Sequence, residues 1–266
     1  MITKILLAVL LVGNIVFGAL WYNAANSKSA APPAPPQLSN KPTESVVKTE
    51  NTRTIEHHNR AKGLDVSHFQ GTINWDEVKR SGFDFVYIKA TGGITYRDPR
   101  FHINWHGARQ AGMLKGAYHF FYARDEPLAQ ANNFLETVGS LSKSGLPPAL
   151  DFEILDGVSS KTAVRRALIW LQQVERRTGI RPILYTNYSL ARTIRNEKGL
   201  SRYALWIAEY ESSEVELPQI WKGKNWTFWQ YSEKGKTQGI QSHIDLDIFN
   251  GTKEELRQFI KLNSFH

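Results

Sequence analysis

The centre of the chain carries the stretch Leu146-Pro147-Pro148-Ala149-Leu150-Asp151-Phe152-Glu153. Its apolar residues predict a buried strand, at the end of which two carboxylates stand one residue apart. Side chains alternate between the two faces of a strand, so Asp151 and Glu153 are expected to point the same way. Burial and mutual repulsion would separate their pKa values and leave one protonated acid beside one carboxylate. Glycosidic bond cleavage uses this combination, although a lone Asp-x-Glu triplet is more often two solvated acids.

From Gly63 onward, short apolar segments alternate with segments of helical periodicity. Strands are predicted at residues 64–67, 85–90, 114–120, 148–153, 183–186, 205–208, 227–231 and 244–249. Helices are predicted near residues 75–81, 98–112, 126–142, 160–178, 188–198 and 253–263. Eight strands with mostly helical connections predict an α/β fold, a modified (β/α)8 barrel of the TIM type. An open doubly wound sheet is the alternative, but no glycine-rich phosphate loop opens a predicted helix.

In such a barrel, functional side chains gather at the carboxyl ends of the strands. The first predicted strand carries Asp65, the fourth ends in Asp151 and Glu153, and the eighth carries Asp245. Strands one and eight are neighbours in a closed barrel and strand four lies opposite, so these acids are expected at one mouth. Aromatic residues suited to stacking on sugar rings cluster at the same strand ends: Tyr87, Tyr118, Phe120, Tyr185, Trp206, Trp229 and Tyr231.

Six motifs follow one another along this part of the chain. They are Gly63-Leu64-Asp65-Val66-Ser67-His68-Phe69-Gln70-Gly71 with Ile73-Asn74-Trp75, Phe85-Val86-Tyr87-Ile88-Lys89-Ala90-Thr91, Gly116-Ala117-Tyr118-His119-Phe120, Pro147–Glu153, Trp229-Gln230-Tyr231-Ser232 and Ile244-Asp245-Leu246-Asp247-Ile248-Phe249. Together they resemble the glycoside hydrolase family 25 lysozymes, the Chalaropsis-type N-acetylmuramidases, over about residues 63–262. The resemblance implies hydrolysis of the β-1,4 bond between N-acetylmuramic acid and N-acetylglucosamine in bacterial peptidoglycan.

The resemblance also implies a role for each acid. Glu153 would be the proton donor, and Asp151 would orient the N-acetyl group of the substrate or stabilise the developing cation. Asp65 and Asp245 would shape the electrostatics of the cleft and hold substrate. Retention and inversion of configuration both stay open, because a Cα separation of roughly 6.5 Å does not fix the distance between the carboxyl groups. The expected substrate-binding side chains are Tyr87, Tyr118, Tyr185, Trp206, Gln230 and Tyr231, although Tyr118 and Trp206 are equally suited to filling the barrel.

Two departures from the family pattern stand near these motifs. After Ala90-Thr91 the family usually carries Glu-Gly, whereas this chain has Gly92-Gly93 and lacks an acid at the cleft rim. Asp247 stands where the family often has Asn. The missing acid keeps one alternative open, a catalytically silent barrel that binds peptidoglycan and positions envelope partners. Another alternative is an enzyme that cuts chitin-like polymers of N-acetylglucosamine.

Neither a metal nor an organic cofactor is expected. His102 and His106 are spaced like a zinc pair on a helix, but the glutamate of the H-E-x-x-H motif is replaced by Ile103 and no third ligand is evident. His119 is expected either to touch substrate or to be a buried barrel histidine. The chain has no cysteine, which removes disulfides and thiolate ligands.

The chain begins with a segment of different composition. Lys4 precedes an apolar run over residues 5–22, just long enough to span a bilayer. We expect residues 1–22 to be a signal anchor, with a removed signal peptide and a buried helix as the alternatives. Residues 23–62, rich in Ala and Pro, are expected to be a disordered linker to the barrel at residues 63–266. The expected location is the inner (cytoplasmic) membrane with the barrel on the periplasmic or extracellular side, or secretion after cleavage.

Charge limits the expected partners. Residues 1–62 hold seven of the 33 basic and three of the 25 acidic residues, which leaves a net charge of +4 on residues 63–266. This charge is too small to indicate nucleic acid, and it mildly favours an anionic polymer such as a cell wall. The resemblance implies peptidoglycan glycan strands as a partner, and the apolar N-terminal segment predicts the membrane as another. The protein is expected to be a monomer, and a tether would permit assembly with envelope machinery.

Overall fold

The computed structural model describes residues 59–264 apart from residues 211, 213 and 216. The strands of this part are β1 (Lys62–Val66), β2 (Phe85–Gly92), β3 (Tyr96–Arg97), β4 (Leu114–Phe120), β5 (Ala149–Asp151), β6 (Ile183–Asn187), β7 (Ala204–Ala208), β8 (Phe228–Thr237) and β9 (Ile240–Phe249). Its α-helices are α1 (Trp75–Arg80), α2 (Phe101–Gln110), α3 (Pro127–Val138), α4 (Ser160–Thr178), α5 (Tyr188–Thr193) and α6 (Lys253–Leu262).

The sheet closes into a barrel because β1 pairs with both β2 and β9. Around the barrel the strand order is β1, β2, β4, β5, β6, β7, β8 and β9, and β3 extends outward from β2. Strands β1 to β8 of the barrel run parallel, whereas β9 runs antiparallel to both of its neighbours. The predicted α/β barrel is therefore confirmed as a mixed, eight-stranded form of the (β/α)8 type.

The predicted strands and helices are all present, and the differences lie at their ends. The last two strands extend toward each other into a hairpin over polar residues 232–243, where the absence of an apolar pattern hid the pairing. A tight hairpin replaces the usual crossover helix, and this is why β9 runs in the opposite direction. Strand β5 ends at Asp151, two residues before its predicted end at Glu153. The exposed two-residue strand β3 was missed because it is too short to show a period.

Local sequence explains where the longest helix, α4, begins and ends. The side chain of Ser159 accepts a hydrogen bond from the amide of Thr162 at 3.2 Å, which caps the first turn. Gly179 ends the helix in the left-handed conformation with φ 66°, which glycine adopts at little cost. The apolar stripe of α4 faces the sheet and includes the buried residues Val164, Leu171 and Val174.

Two apolar cores lie on opposite sides of the strands. The outer core fills the space between the strands and the helices. The inner core fills the barrel with stacked aromatic rings, in which Tyr87 and Trp206 lie 4.6 Å apart between centroids. Leu256 and Ile260 of α6 pack into this inner core, so that α6 covers the end of the barrel near Phe85. The opposite end, to which the parallel strands point their carboxyl termini, stays open to a site.

The predicted anchor at residues 1–22 and the linker at residues 23–58 lie outside the described residues. Ala61 is buried in the inner core and Lys62 opens β1, so the barrel includes both of these residues. No helix of the described part is long and apolar enough to cross a membrane.

Candidate active site

Four acids from separate parts of the sequence meet at the open mouth of the barrel. Asp65 on β1 is the direct partner of Asp245 on β9, while Asp151 ends β5 and Glu153 lies two residues beyond it. The charge of Glu153 raises the pKa of both Asp65 and Asp245, although burial is the larger cause for each. The structure thus places the four predicted acids within electrostatic reach of one another. Asp245 reaches the mouth from the middle of an antiparallel strand rather than from a strand end.

Asp151 and Glu153 form a contacting pair. Their carboxyl groups lie within hydrogen-bonding distance of each other, although Glu153 lies beyond the end of β5, where strand alternation does not set its direction. Burial raises the pKa of both groups, and the negative charge of Glu153 raises the pKa of Asp151 further. Two acids in this arrangement retain one proton between them over a wide pH range.

One oxygen of this pair has no partner. Asp151 is 7 % exposed, and its Oδ1 atom receives no hydrogen bond from any described residue. A buried acceptor without a donor costs free energy. The carboxyl of Glu153 is the group within reach that can share a proton with this oxygen, so the missing donor favours a retained proton in the pair.

Lys89 is the cation beside the pair, and the sequence argument did not single it out. It lies on β2, where its charge lowers the pKa of Asp151 and Glu153 against the larger effect of burial. Its Nζ atom lies 4.8 Å from the ring centroid of Phe120 and 5.8 Å from that of Tyr118. Strand alternation could have predicted this position, because Lys89 stands two residues after Tyr87 and both therefore point to the inner face of the barrel.

A hydrogen-bonded network orients Asp65. The Oε1 atom of Gln230 accepts hydrogen bonds from the hydroxyls of Tyr185 at 2.9 Å and Tyr210 at 2.5 Å. Its Nε2 atom consequently faces Asp65 and donates to Oδ2 at 2.7 Å. Gln230 is 3 % exposed, so the structure places this predicted substrate ligand behind the acids rather than at the surface. Tyr210 lies in the loop after β7, where no pattern in the sequence marks it.

Asp247 adds a fifth acid to the mouth. It is fully buried, and the indole Nε1 of Trp206 donates to its Oδ1 atom at 2.8 Å. Its carboxyl group lies within hydrogen-bonding distance of that of Asp65, and burial raises the pKa of both well above the ordinary value. Burial, followed by the charge of Asp65, raises the pKa of Asp245 to about 8. The mouth therefore binds protons that solvated carboxyl groups would lose.

The predicted aromatic residues divide between the core and the mouth. Tyr87 is fully buried, donates its hydroxyl to the carbonyl of Pro147 at 3.1 Å and stacks on Trp206 in the inner core. Tyr118 and Tyr185 are 9 % and 6 % exposed and border the acids. Tyr231 is 37 % exposed on β8. Tyr87 and Trp206 therefore belong to the inner core below the mouth. Tyr118, Tyr185 and Tyr231 each keep part of their surface exposed.

His119 belongs to the outer core. Its Nδ1 atom lies 2.7 Å from the hydroxyl of Thr91, its Nε2 atom lies 3.2 Å from Oε1 of Gln130, and its ring stacks on Trp170. Burial lowers the pKa of His119 to about 3. The structure supports the alternative in which His119 is a buried histidine rather than a substrate contact.

The rim beside Gly92 carries a polar cluster that the sequence argument missed. Gly92 pairs with Tyr96 across β2 and β3, and a Cβ atom at position 92 would lie 3.5 Å from Cβ of Phe120, an ordinary contact. The hydroxyl of Tyr96 lies 3.0 Å from Nδ1 of His68, which in turn lies 2.8 Å from Oδ2 of Asp98. The rim therefore has space for the side chain that Gly92 lacks.

The other histidine pair lies away from the acids. His102 and His106 line a groove of about 720 Å³ beside α1 and α2. Among the described residues, no group of three or more His, Asp or Glu side chains is arranged to hold a metal ion.

Comparison with known proteins shows which sequences this chain is similar to. Residues 64–240 match the family described as glycosyl hydrolases family 25. The uncharacterized protein YegX of Escherichia coli (strain K12) is 37 % identical over 204 residues, which span 74 % of this chain and 72 % of that protein. Lysozyme M1 of Streptomyces globisporus is 32 % identical over an alignment that covers 94 % of this chain and 92 % of that protein.

A solved structure gives the same result for the fold. The bacterial lysozyme from Streptomyces coelicolor superimposes with a TM-score of 0.69 at 33 % identity, over 76 % of this chain and 98 % of that one. A barrel with paired acids at its mouth and these relatives defines a glycoside hydrolase of the lysozyme class. The chain belongs to glycoside hydrolase family 25.

Proposed function

We propose that the chain is an N-acetylmuramidase that hydrolyses the β-1,4 bond between N-acetylmuramic acid and N-acetylglucosamine in bacterial peptidoglycan. The contacting pair Asp151 and Glu153 carries this proposal, because it combines a retained proton with a buried oxygen that lacks a donor. The relative named Lysozyme M1 supports the choice of peptidoglycan over chitin-like polymers.

Binding of the N-acetyl group sets the protonation state of the pair. The amide N–H of the substrate donates to the carboxyl group of Asp151, and this bond favours the ionised form of Asp151. The proton of the pair then resides on Glu153. Glu153 is thereby prepared as the general acid, and it passes this proton to the glycosidic oxygen as the bond to C1 breaks.

The N-acetyl group acts as the nucleophile. Carboxyl groups in hydrogen-bonding contact leave no room for a sugar ring between them, whereas a carboxylate nucleophile normally lies roughly 5 Å from the acid. The carbonyl oxygen of the N-acetyl group therefore attacks C1 and forms a cyclic oxazolinium ion, and Asp151 stabilises its N–H. Glu153, now a carboxylate, removes a proton from the water that opens the ring at C1. Two inversions at C1 give net retention.

The remaining acids and rings hold the sugar chain. Asp65 and Asp245 face the same mouth and accept hydrogen bonds from sugar hydroxyls or stabilise the positive charge that develops at C1. Tyr118, Tyr185 and Tyr231 retain surface there for stacking against the sugar. We assign these contacts on position and chemistry.

A tether would deliver the barrel to its polymer. The apolar run at residues 5–22 and the Ala/Pro-rich run that follows support an exported domain that is anchored to the inner membrane, or secreted where the anchor is cleaved. The small positive charge of residues 63–266 is compatible with approach to an anionic wall.

The missing rim acid at Gly92 favours one rival, a barrel that binds peptidoglycan without cutting it. The anomeric configuration of fresh products separates the two functions. Full-length protein is mixed with soluble peptidoglycan oligomers, and proton NMR spectra are recorded during the first turnovers. The β anomer of the new muramic acid end should appear first and then mutarotate. Initial α product would overturn the N-acetyl route, and binding without any product would favour the silent barrel.

A further inference from the structure

Behind the catalytic pair lies a second pair of contacting acids, Asp65 and Asp247. They are 6 % and 0 % exposed and come from the neighbouring strands β1 and β9. Each has one oxygen with a fixed donor: Gln230 Nε2 donates to Oδ2 of Asp65 at 2.7 Å, and Trp206 Nε1 donates to Oδ1 of Asp247 at 2.8 Å. These two bonds leave the remaining oxygens for the contact between the two acids.

The orientation of Gln230 is fixed by its own neighbours. The hydroxyls of Tyr185 and Tyr210 both donate to Oε1, so the amide N–H must point at Asp65. The reverse orientation would place Oε1 against a carboxyl oxygen of Asp65, which brings two acceptors together. Asp65 therefore receives one donor from Gln230 and cannot gain a second from it.

The other oxygen of Asp247 has no donor. Oδ2 of Asp247 is buried and receives no hydrogen bond from any nitrogen or hydroxyl group of the described residues. The neighbouring group within reach is the carboxyl of Asp65. A buried acceptor is satisfied there only if Asp65 carries a proton and donates it.

We propose that Asp247 is a positioning residue for the hydrolysis proposed above: it accepts a hydrogen bond from a protonated Asp65 and so keeps this second pair at a single negative charge. The shared proton fixes the carboxyl plane of Asp65 between Gln230 and Asp247. It also limits the negative charge that the mouth presents to a substrate whose lactyl and peptide groups are themselves anionic. The effect of Asp247 on catalysis rests on the proposed function. The sharing of a proton between Asp65 and Asp247 does not depend on that function.

Lys89 of β2 is a cation at this mouth, and it acts on Asp151 and Glu153. Titratable side chains in electrostatic contact with the second pair are Asp245 of β9, Asp151 and Glu153 at β5, Tyr87 of β2, Tyr118 of β4, Tyr185 of β6, Tyr210 after β7 and Tyr231 of β8. All of these are neutral or negative. Loss of the shared proton at high pH therefore adds a negative charge beside groups that are neutral or already negative.

Two substitutions at position 247 test the assignment in the full-length protein. Asp247→Asn keeps the shape, can accept from Trp206 and supplies an N–H to Asp65, but it cannot ionise. Asp247→Leu removes both bonds and leaves Trp206 and Asp65 unpartnered. The melting temperature and the steady-state constants on soluble peptidoglycan are measured from about pH 5 to about pH 9, with the exposed Asp76→Asn as the control for a changed surface charge.

The pH dependence of the melting temperature tests whether Asp65 and Asp247 share a proton, independently of activity. Because the folded pKa values of Asp65 and Asp247 are raised, their stabilising protons are lost as pH rises. The wild type and Asp76→Asn should therefore lose melting temperature with rising pH more steeply than Asp247→Asn. Superimposable slopes for the wild type and Asp247→Asn would overturn the shared proton.

Kinetics decide the positioning role. KM of the wild type should rise with pH as the second charge appears, and this rise should be smaller in Asp247→Asn. Asp247→Leu should lower kcat/KM at least about tenfold, and Asn in its place should recover most of that loss. Equal kcat/KM for Asp247→Leu and the wild type would overturn the role of Asp247. If no protein cleaves peptidoglycan, the proposed function fails while the melting curves still decide the shared proton.

Discussion

The indole of Trp206 donates a hydrogen bond to Asp247 at 2.8 Å, and this bond joins the aromatic core of the barrel to its acidic mouth. Below it, the ring of Trp206 packs on Tyr87 and Tyr185. Above it, Asp247 contacts Asp65 and lies near Asp245. The aromatic core therefore holds the acids in an apolar setting, where burial keeps their pKa values high. The stability of the barrel and the charge of the site are linked through this contact.

Lys89 should hold the catalytic pair at one negative charge. Replacing Lys89 with Met removes the cation that lowers the pKa of Asp151 and Glu153, so both pKa values should rise. The acidic limb of kcat/KM, which reports the ionised member of the pair, should move to higher pH, and kcat/KM should fall by at least about tenfold. Steady-state kinetics across the acidic range measure both effects.

A lysine on the next strand provides the control for Lys89. Lys115 of β4 lies over the ring of Trp105 at 4.5 Å, in the outer part of the protein. Lys115→Met should leave the acidic limb where the wild type has it. Equal shifts in the two variants would show that Lys89 acts through net charge rather than through its position beside the pair.

Gly92 and Gly93 should respond in opposite ways to a side chain. At position 92 a new Cβ makes only ordinary contacts, so Gly92→Ala should be neutral or stabilise by about 0.4–1 kcal/mol through the unfolded chain. Gly93 has φ +56 and its Cβ would lie 3.0 Å from the ring of Tyr122, so Gly93→Ala should destabilise by more than about 1 kcal/mol. Denaturant unfolding of both variants measures the difference. A larger loss for position 92 than for position 93 contradicts this description of the rim.

His119 should make the protein lose stability in acid. Its folded pKa of about 3 lies below the ordinary value of 6.5, so the unfolded chain binds the proton more tightly. Stability from the neutral ring is complete above about pH 6.5 and falls by up to about 1.4 kcal/mol per pH unit as pH drops toward 3. In His119→Gln this contribution should vanish even if the variant is less stable at pH 7. The exposed His106→Gln should keep the wild-type pH dependence.

Replacing Asp151 with Asn should lower activity and raise stability. Asp151→Asn removes the negative charge that strengthens the hydrogen bond from the substrate N–H, and it should lower kcat by at least about a hundredfold. The same change removes a buried acid whose raised pKa costs stability as pH rises above its unfolded value. The melting temperature of Asp151→Asn should therefore exceed that of the wild type at neutral and higher pH, with the gap narrowing in acid. A variant that is inactive because it is unfolded would contradict this explanation.

Alternation and periodicity were sufficient for the barrel strands. Strand order also placed Asp65 near Asp151, but Asp245 reaches the mouth from the middle of antiparallel β9, which the reasoning from strand ends did not include. The direction of β9 could not be predicted, because the polar hairpin before it carries no apolar pattern. Tyr210 and Asp247 were beyond the same reasoning, since their roles depend on contacts with Gln230 and Asp65 that arise only when distant strands meet.

Glu153 should be the acid that protonates the glycosidic oxygen between N-acetylmuramic acid and N-acetylglucosamine. Purified peptidoglycan is digested with the full-length wild type, with Glu153→Gln and with the exposed Glu136→Gln as the matched control. The products are reduced with borohydride and identified by mass spectrometry. The wild type and Glu136→Gln should release muropeptides that end in reduced muramic acid, while Glu153→Gln should release them at least about a hundredfold more slowly. Wild-type rates from Glu153→Gln, or products that end in reduced N-acetylglucosamine, would contradict the claim.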